Sequence, residues 1–389
     1  MSDKKIYLDY AATTPVDKRV LDAMLPYFSE HFGNPSSVHT FGQRTEAAIE
    51  AAREDVARIL GCNIQEIIFT SCGSESDNLA LRGTALAMRH QNGSNHILIS
   101  PTEHHAVSLT AEQLRSHFGF ELEYLSVDSF GQVDPEEVEK RLRPDTAVVS
   151  IIYANNEIGT VNPISEIGAI CRERKVAFHT DAVQAAAYLP VNVNQLNVDM
   201  LSLGAHKFYG PKGIGALYVR NGTPILPVQT GGGQEFGLRA GTSNVPYIVG
   251  LASALELAEQ ERDARRNHVQ PLRDRIISRV TDSIPDVKLT GHSKDRMPNH
   301  ASFVFQGVDG NELLMMLDIE GYACSSGSAC KTGDPEPSDV LMSLGYLTLW
   351  ALGSLRVSLG THTTSEEVEA FLDVLPHTIK NNRQLVRAH

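Results

Sequence analysis

Ala205-His206-Lys207-Phe208-Tyr209-Gly210-Pro211-Lys212-Gly213 places a lysine directly after a histidine, in a loop rich in glycine and proline. Apolar, strand-like runs flank the loop, Met200-Leu201-Ser202-Leu203 before it and Ile214-Gly215-Ala216-Leu217-Tyr218-Val219 after it. A lysine held between two buried strands loses hydration and its pKa falls. The neutral amine that results can form a Schiff base with an aldehyde. Taken alone, the loop suits a surface turn equally well, so the remaining polar clusters decide.

Four of those clusters follow strand-like runs. Thr70-Ser71-Cys72-Gly73-Ser74-Glu75-Ser76 leads into a helical stretch, where backbone N–H groups with the Ser74 and Ser76 hydroxyls would cradle a phosphate. Plain helix capping by serine explains it too, and the GxGxxG fingerprint is absent. Glu103-His104-His105 offers an aromatic stacker or an acid–base, since adjacent histidines rarely bind one metal ion. Asn155-Asn156-Glu157-Ile158-Gly159 and His179-Thr180-Asp181-Ala182-Val183-Gln184 complete the four. An aspartate at a buried strand end is costly unless paired, and a protonated ring nitrogen is one such partner. A helix N-cap is the other reading of Asp181. A fifth cluster, Ser325-Ser326-Gly327-Ser328-Ala329-Cys330-Lys331-Thr332-Gly333, sets a thiol among small residues and beside a lysine that eases its deprotonation.

These positions need a frame. Helical spacing over 43–60, 75–90 and 164–175 alternates with strand-like runs at 67–70, 96–100, 147–154 and 176–179. Such βα alternation predicts a largely parallel sheet with helices on both faces, and ligands of open α/β sheets bind beyond the carboxyl ends of the strands. Asp134-Pro135-Glu136-Glu137 is a helix start, with proline in the first turn. From about Val245 the pattern changes to a long helix followed by mixed strands and helices, closed by a capping box at Thr364-Ser365-Glu366-Glu367. That reads as a smaller α+β unit, which the strand at Ile6-Tyr7-Leu8-Asp9 can join.

The chain has 389 residues, 42% of them hydrophobic, enough for a large core and about two domains. A net charge of −13 argues against a nucleic-acid binder. No signal-peptide pattern or membrane-length apolar run is present, so a soluble, cytoplasmic protein is expected. Five scattered cysteines without a CxxC pair fit neither a disulfide scaffold nor a metal site of the chain's own.

Together these segments resemble the cysteine desulfurases of the class-V aminotransferase family, enzymes that use pyridoxal 5'-phosphate (PLP). The resemblance runs from Tyr7-Leu8-Asp9-Tyr10-Ala11-Ala12-Thr13-Thr14 to Leu355-Arg356-Val357-Ser358-Leu359-Gly360, and is most specific at Asp181–Gln184, Ala205–Gly213 and Ser325–Cys330. The form of the cysteine segment is similar to that of the nitrogen-fixation and iron–sulfur-cluster group. The resemblance implies PLP fold type I: a large domain, residues 15–258, with a mostly parallel seven-stranded sheet, and a small domain of residues 1–14 and 259–389 carrying the cysteine segment. It further implies that Lys207 holds PLP and that Asp181 pairs with the ring N–H. Gln184 and Asn156 would bond the ring oxygen and nearby groups, and His104 would stack on the ring and move protons. Gly73, Ser74, Gly204 and His206 would surround the phosphate, with Thr242 reaching the phosphate of a second subunit in a homodimer. Asn156 and Arg356 would bind the substrate, the arginine by its carboxylate. Cys330 would be the nucleophile that turns L-cysteine into L-alanine and carries the sulfur as a persulfide to an acceptor, such as an iron–sulfur scaffold. Cys330 would meet metal only as a transient ligand of a partner's cluster.

Three positions depart from the family pattern: Gly204 where serine is common, Phe236 where arginine is usual, and Cys72 where glycine is frequent. Ser202 or a water is a substitute for the hydroxyl missing at 204. A selenocysteine lyase or related PLP enzyme is the nearest alternative; an iron- or cluster-binding carrier is the alternative of another class.

Overall fold

A computed structural model describes residues 5–327 and 337–388. Cys330 lies outside the described residues, together with Lys331 and Thr332.

The chain opens with β1 (Ile6–Tyr7) and then builds a seven-stranded sheet from β2 (Ile67–Thr70), β3 (His96–Ile99), β4 (Glu121–Tyr124), β5 (Thr146–Ser150), β6 (Ala177–Asp181), β7 (Met200–Gly204) and β8 (Gly215–Val219). Its spatial order is β2-β8-β7-β6-β5-β3-β4. Only β8 runs antiparallel to its neighbours; the other pairings are parallel. Helices connect the parallel strands, and the expected fold type I sheet is present. Every residue of β2, β3, β5, β7 and β8 is buried, as expected for strands covered on both faces.

Two elements differ from the sequence pattern. β4 has no continuous apolar run, because as an edge strand it exposes Glu121 and Tyr124 at its ends and only half buries Leu122 and Glu123 between them. The apolar run at 147–154 is a strand only as far as Ser150. Beyond it, the Glu103 carboxylate accepts the Ile152 N–H at 2.7 Å and Asn162 Nδ2 donates to the Ile152 carbonyl at 2.8 Å. Side chains thus serve Ile152 where β3 has ended, while the Ile151 and Tyr153 N–H groups still donate to the β6 carbonyls of His179 and Asp181 at 3.2 and 2.9 Å.

Helix Pro135–Arg141 starts as its sequence predicts, with the Asp134 carboxylate accepting the Glu136 N–H. A continuous helix, Val245–Ser283, carries the chain out of the sheet region despite Pro271 inside it, and the expected division between Ala258 and Glu259 falls within this helix. The remaining strands are β9 (Val287–Leu289), β10 (His300–Phe305), β11 (Tyr322–Ala323) and β12 (Ser354–Ser358). β9, β10 and β12 form an antiparallel sheet, while β1 pairs with β11 and Asp9 bridges to Ser358. The N-terminal strand thus joins the C-terminal sheet region. Thr364 and Glu367 exchange the two bonds of the capping box ahead of helix Ser365–Ala388. One apolar core links the parts, with Leu8, Phe178, Leu251, Phe303 and Phe371 in a single cluster.

Candidate functional site

The strand directions bring the carboxyl ends of β2, β3, β5, β6 and β7 to one edge of the central sheet. Helices Gly73–Asn92 and His105–Phe118 begin at that edge, with their N–H groups directed to it.

Lys207 ends a short turn directly after β7. Its Nζ donates to the carbonyls of Ala11 and Ala12 at 2.6 and 2.8 Å. Burial, with the Arg356 guanidinium nearby, lowers the amine to about 8, opposed by Asp181 and Asp9. The loop is therefore no plain surface turn. Neighbouring His206 is held neutral, pushed down to about 4 by burial and by Lys207 and Lys212.

Asp181, at the end of β6, is buried, and burial raises its carboxyl while His104, the Val183 N–H and Lys207 lower it. Val183 N–H donates to its Oδ1 at 2.9 Å. Asp77, His104 and Asp181 offer atoms that lie within 4.8 Å of one another. Asp77 Oδ1 is buried without a hydrogen-bond partner among the described residues. Two buried carboxyl groups and an exposed imidazole this close together accommodate a cation, and a protonated ring nitrogen is a cation. His104 precedes its helix as the N-cap, its Nδ1 accepting the Ala106 N–H at 3.1 Å. Its side chain is exposed to the cleft, yet the surrounding protein desolvates the imidazole enough to lower its pKa.

The phosphate cradle differs in detail from the sequence reading. Cys72 caps helix Gly73–Asn92 without a side-chain bond to its first N–H groups, and Ser74 is exposed beside them. Ser76 is buried instead, its hydroxyl 2.7 Å from Thr70 Oγ1 and bonded to the Cys72 carbonyl, so it does not join the cradle. Ser202 is likewise taken: its hydroxyl lies 2.9 Å from His179 Nε2 and does not replace the hydroxyl missing at Gly204. A Cβ on Gly204 would stand 3.5 Å from the Gly73 nitrogen and 3.2 Å from Val183, at the mouth of the cradle.

Gln184 Nε2 donates at 2.8 Å to the Ala11 carbonyl that also receives Lys207. Arg356, on β12, is buried; its Nη1 donates to the Asn156 carbonyl at 2.9 Å and its Nη2 to Asp9 at 2.8 Å. Its Nε has no partner among the described residues. Asp9 is a site residue that sequence reasoning gave no role, for it lies 347 positions from Arg356. Thr242 is exposed, three residues beyond Arg239, which ties its segment to Glu75 at 2.9 Å. Among the described residues it is not brought into the cluster. Phe236 is exposed in a left-handed conformation, its ring 5.1 Å from the buried Arg53 guanidinium, which also pairs with Glu235.

The residues thus fit PLP: a desolvated amine, a buried carboxylate for a ring N–H, and a helix N-terminus for a phosphate. Comparison with known proteins agrees. The family described as aminotransferase class V matches residues 6–371. Cysteine desulfurase IscS of Dictyoglomus turgidum is 48% identical over 382 residues, 98% of this chain and 96% of the relative. A solved NifS-like protein shares 38% identity at a TM-score of 0.90, covering 97% of this chain and all of its own. SspA, solved in complex with cysteine, shares 36% identity at a TM-score of 0.80, over 93% of this chain and 100% of its own. This chain belongs to the cysteine desulfurases of the class-V aminotransferase family.

Proposed function

We propose that the protein removes sulfur from L-cysteine, releasing L-alanine and leaving a persulfide on Cys330 for transfer to an acceptor protein. The observation that carries this reading is the convergence of Lys207, Asp181 and Arg356 from three elements, close enough for their charges to act on the Lys207 amine.

PLP, when bound, supplies an electron sink for the carbon beside the substrate amine. Lys207 would hold it, Asp181 would face its ring nitrogen, His104 and Gln184 would flank the ring, and Gly73, Ser74 and His206 would surround its phosphate. Arg356 is already oriented by Asn156 and Asp9, with N–H groups left for a substrate carboxylate, and a planar fork suits that group. Lys207, with a pKa near 8, exchanges protons readily at neutral pH. The Cys330 thiolate attacks the substrate sulfur. An S–S bond forms, the C–S bond breaks with its electron pair left on carbon, and that carbon takes up a proton to give alanine. The acceptor would be an iron–sulfur scaffold or another carrier, the working unit a homodimer with Thr242 serving the partner's site, and the location the cytoplasm. Among the described residues no helix is long and apolar enough to cross a membrane.

Replacing Cys330 with alanine tests the reading. The variant is expected to keep the visible absorbance of bound cofactor but to form no persulfide and release no sulfide from cysteine. A variant that desulfurates cysteine at the wild-type rate overturns it, as does a purified chain that borohydride cannot fix to PLP at Lys207.

A further inference from the structure

Glu157 takes no part in the chemistry above, yet its carboxylate lies where the chain leaves for Cys330 and where it returns. It follows Asn156 in the turn after β5, and the Asn155 side chain fixes that turn by accepting the N–H groups of Glu157 and Ile158 at 2.8 and 2.9 Å. Glu157 Oε2 accepts the Ser338 hydroxyl at 2.5 Å. The same oxygen rests against Gly327, where an added Cβ would stand 2.9 Å from it and 3.5 Å from the Ser338 Cβ. Ser338 also caps helix Asp339–Ser343 by accepting the Leu341 N–H, while the Gly327 N–H donates to Ser354. Two residues before Gly327, Ser325 exchanges both backbone bonds with Arg356, at 3.2 and 2.7 Å. Arg356 returns to the Glu157 turn through the Asn156 carbonyl.

We propose that Glu157 is a positioning residue for sulfur transfer, clamping Gly327 and Ser338 together beside Arg356 so that Cys330 reaches out from a fixed origin. The inference rests on the desulfurase reading. Cys330 stands three positions after Gly327, and three residues of extended chain span at most about 11 Å. With so short a tether, a displaced origin shifts the thiol relative to the substrate directly, and small misplacements of reacting groups are costly in rate. The charged groups facing the carboxyl are Arg356 from β12, which favours its ionisation, and Asp339, which opposes it. Burial is the larger influence and raises the carboxyl to about 7.

The test uses the holoenzyme, with cysteine affinity read from the cofactor spectrum and persulfide on Cys330 read by rapid quench and mass spectrometry. Glu157→Ala is expected to slow persulfide formation about tenfold, as for loss of a charge-assisted hydrogen bond, with cysteine affinity within about threefold of wild type. Glu157→Gln, which keeps an acceptor of the same size, is expected to restore the rate to within about threefold. Ser338→Asp keeps the helix cap but sets two carboxylates together, and is expected to be slowed like Glu157→Ala; it decides the matter if Glu157→Ala does not fold. Wild-type rates in Glu157→Ala or Ser338→Asp overturn the clamp, and so does a loss of cysteine affinity that accounts for the whole effect. Absence of persulfide in the wild type overturns the desulfurase reading instead.

Discussion

At the scale of single residues, Lys207 joins sequence to chemistry. A free lysine amine is only about 0.1% neutral at pH 7.5. With the pKa lowered to about 8, roughly a quarter of Lys207 is neutral there. The rate at which the apoprotein takes up PLP should therefore rise with pH to a midpoint near 8, because only the neutral amine attacks an aldehyde. Arg356 pushes the amine down and Asp181 pushes it up. Arg356→Met should move the midpoint higher and Asp181→Asn lower, as stopped-flow absorbance would record. A wild-type midpoint at or above 10 would show that Lys207 is not desolvated. Lys207, Asp181 and His104 were legible in the sequence because each closes or follows an apolar run. Asp9 and Asp77 were not: Asp9 meets Arg356 only through the pairing of β1 with the C-terminal region, and Asp77 lies within the first turns of a helix that serine patterning already explained.

At the scale of elements, neighbouring strands build the floor beneath the site. His179 on β6 is buried, with its ring nitrogens 2.8 Å from Ser150 on β5 and 2.9 Å from Ser202 on β7. Burial drives its imidazole down to about 3, so it stays neutral and crosslinks three strands. This network was not legible, since cross-strand register decides which polar side chains meet, and the sequence shows alternation without register. The same register fixes what Gly204 leaves open. The Cβ of a serine there would stand 3.5 Å from the Gly73 nitrogen, with Val183, at 3.2 Å, the neighbour that must give slightly. One added hydrogen bond to a phosphate is worth about 1.5 kcal/mol. Gly204→Ser should thus slow PLP dissociation about tenfold, measured by transfer to an excess of acceptor apoenzyme. Dissociation at the wild-type rate or faster would place the phosphate away from residue 204.

At the scale of the whole molecule, βα alternation made the sheet legible, whereas the surface became readable only in three dimensions. Phe28, Phe32, Val38 and Phe41 are exposed within one short stretch, Val38 by 90% and Phe32 by 68%. The Phe32 and Phe41 rings lie 5.7 Å apart, and Phe28 packs on Tyr247, in the first turn of helix Val245–Ser283. Thr242 stands just ahead of that helix, so the apolar face and the exposed threonine are neighbours in the fold. Clustered exposed aromatics mark an interaction surface, and a homodimer would cover this one while delivering Thr242 to the other subunit. Paired Phe32→Glu and Phe41→Glu substitutions put charges where two rings should be buried. Each ring is worth about 2 kcal/mol, so losing two should raise the dissociation constant about 1,000-fold or more, or roughly 4 kcal/mol. Sedimentation should then find the 42.5 kDa chain alone, whereas the wild type is expected at twice that mass. A folded monomer that sheds PLP faster, as Thr242→Ala in the intact dimer should also do, would tie the threonine to the partner's cofactor. A variant that stays dimeric would move the interface elsewhere, and a monomer that holds PLP as the wild type does would leave Thr242 a surface residue.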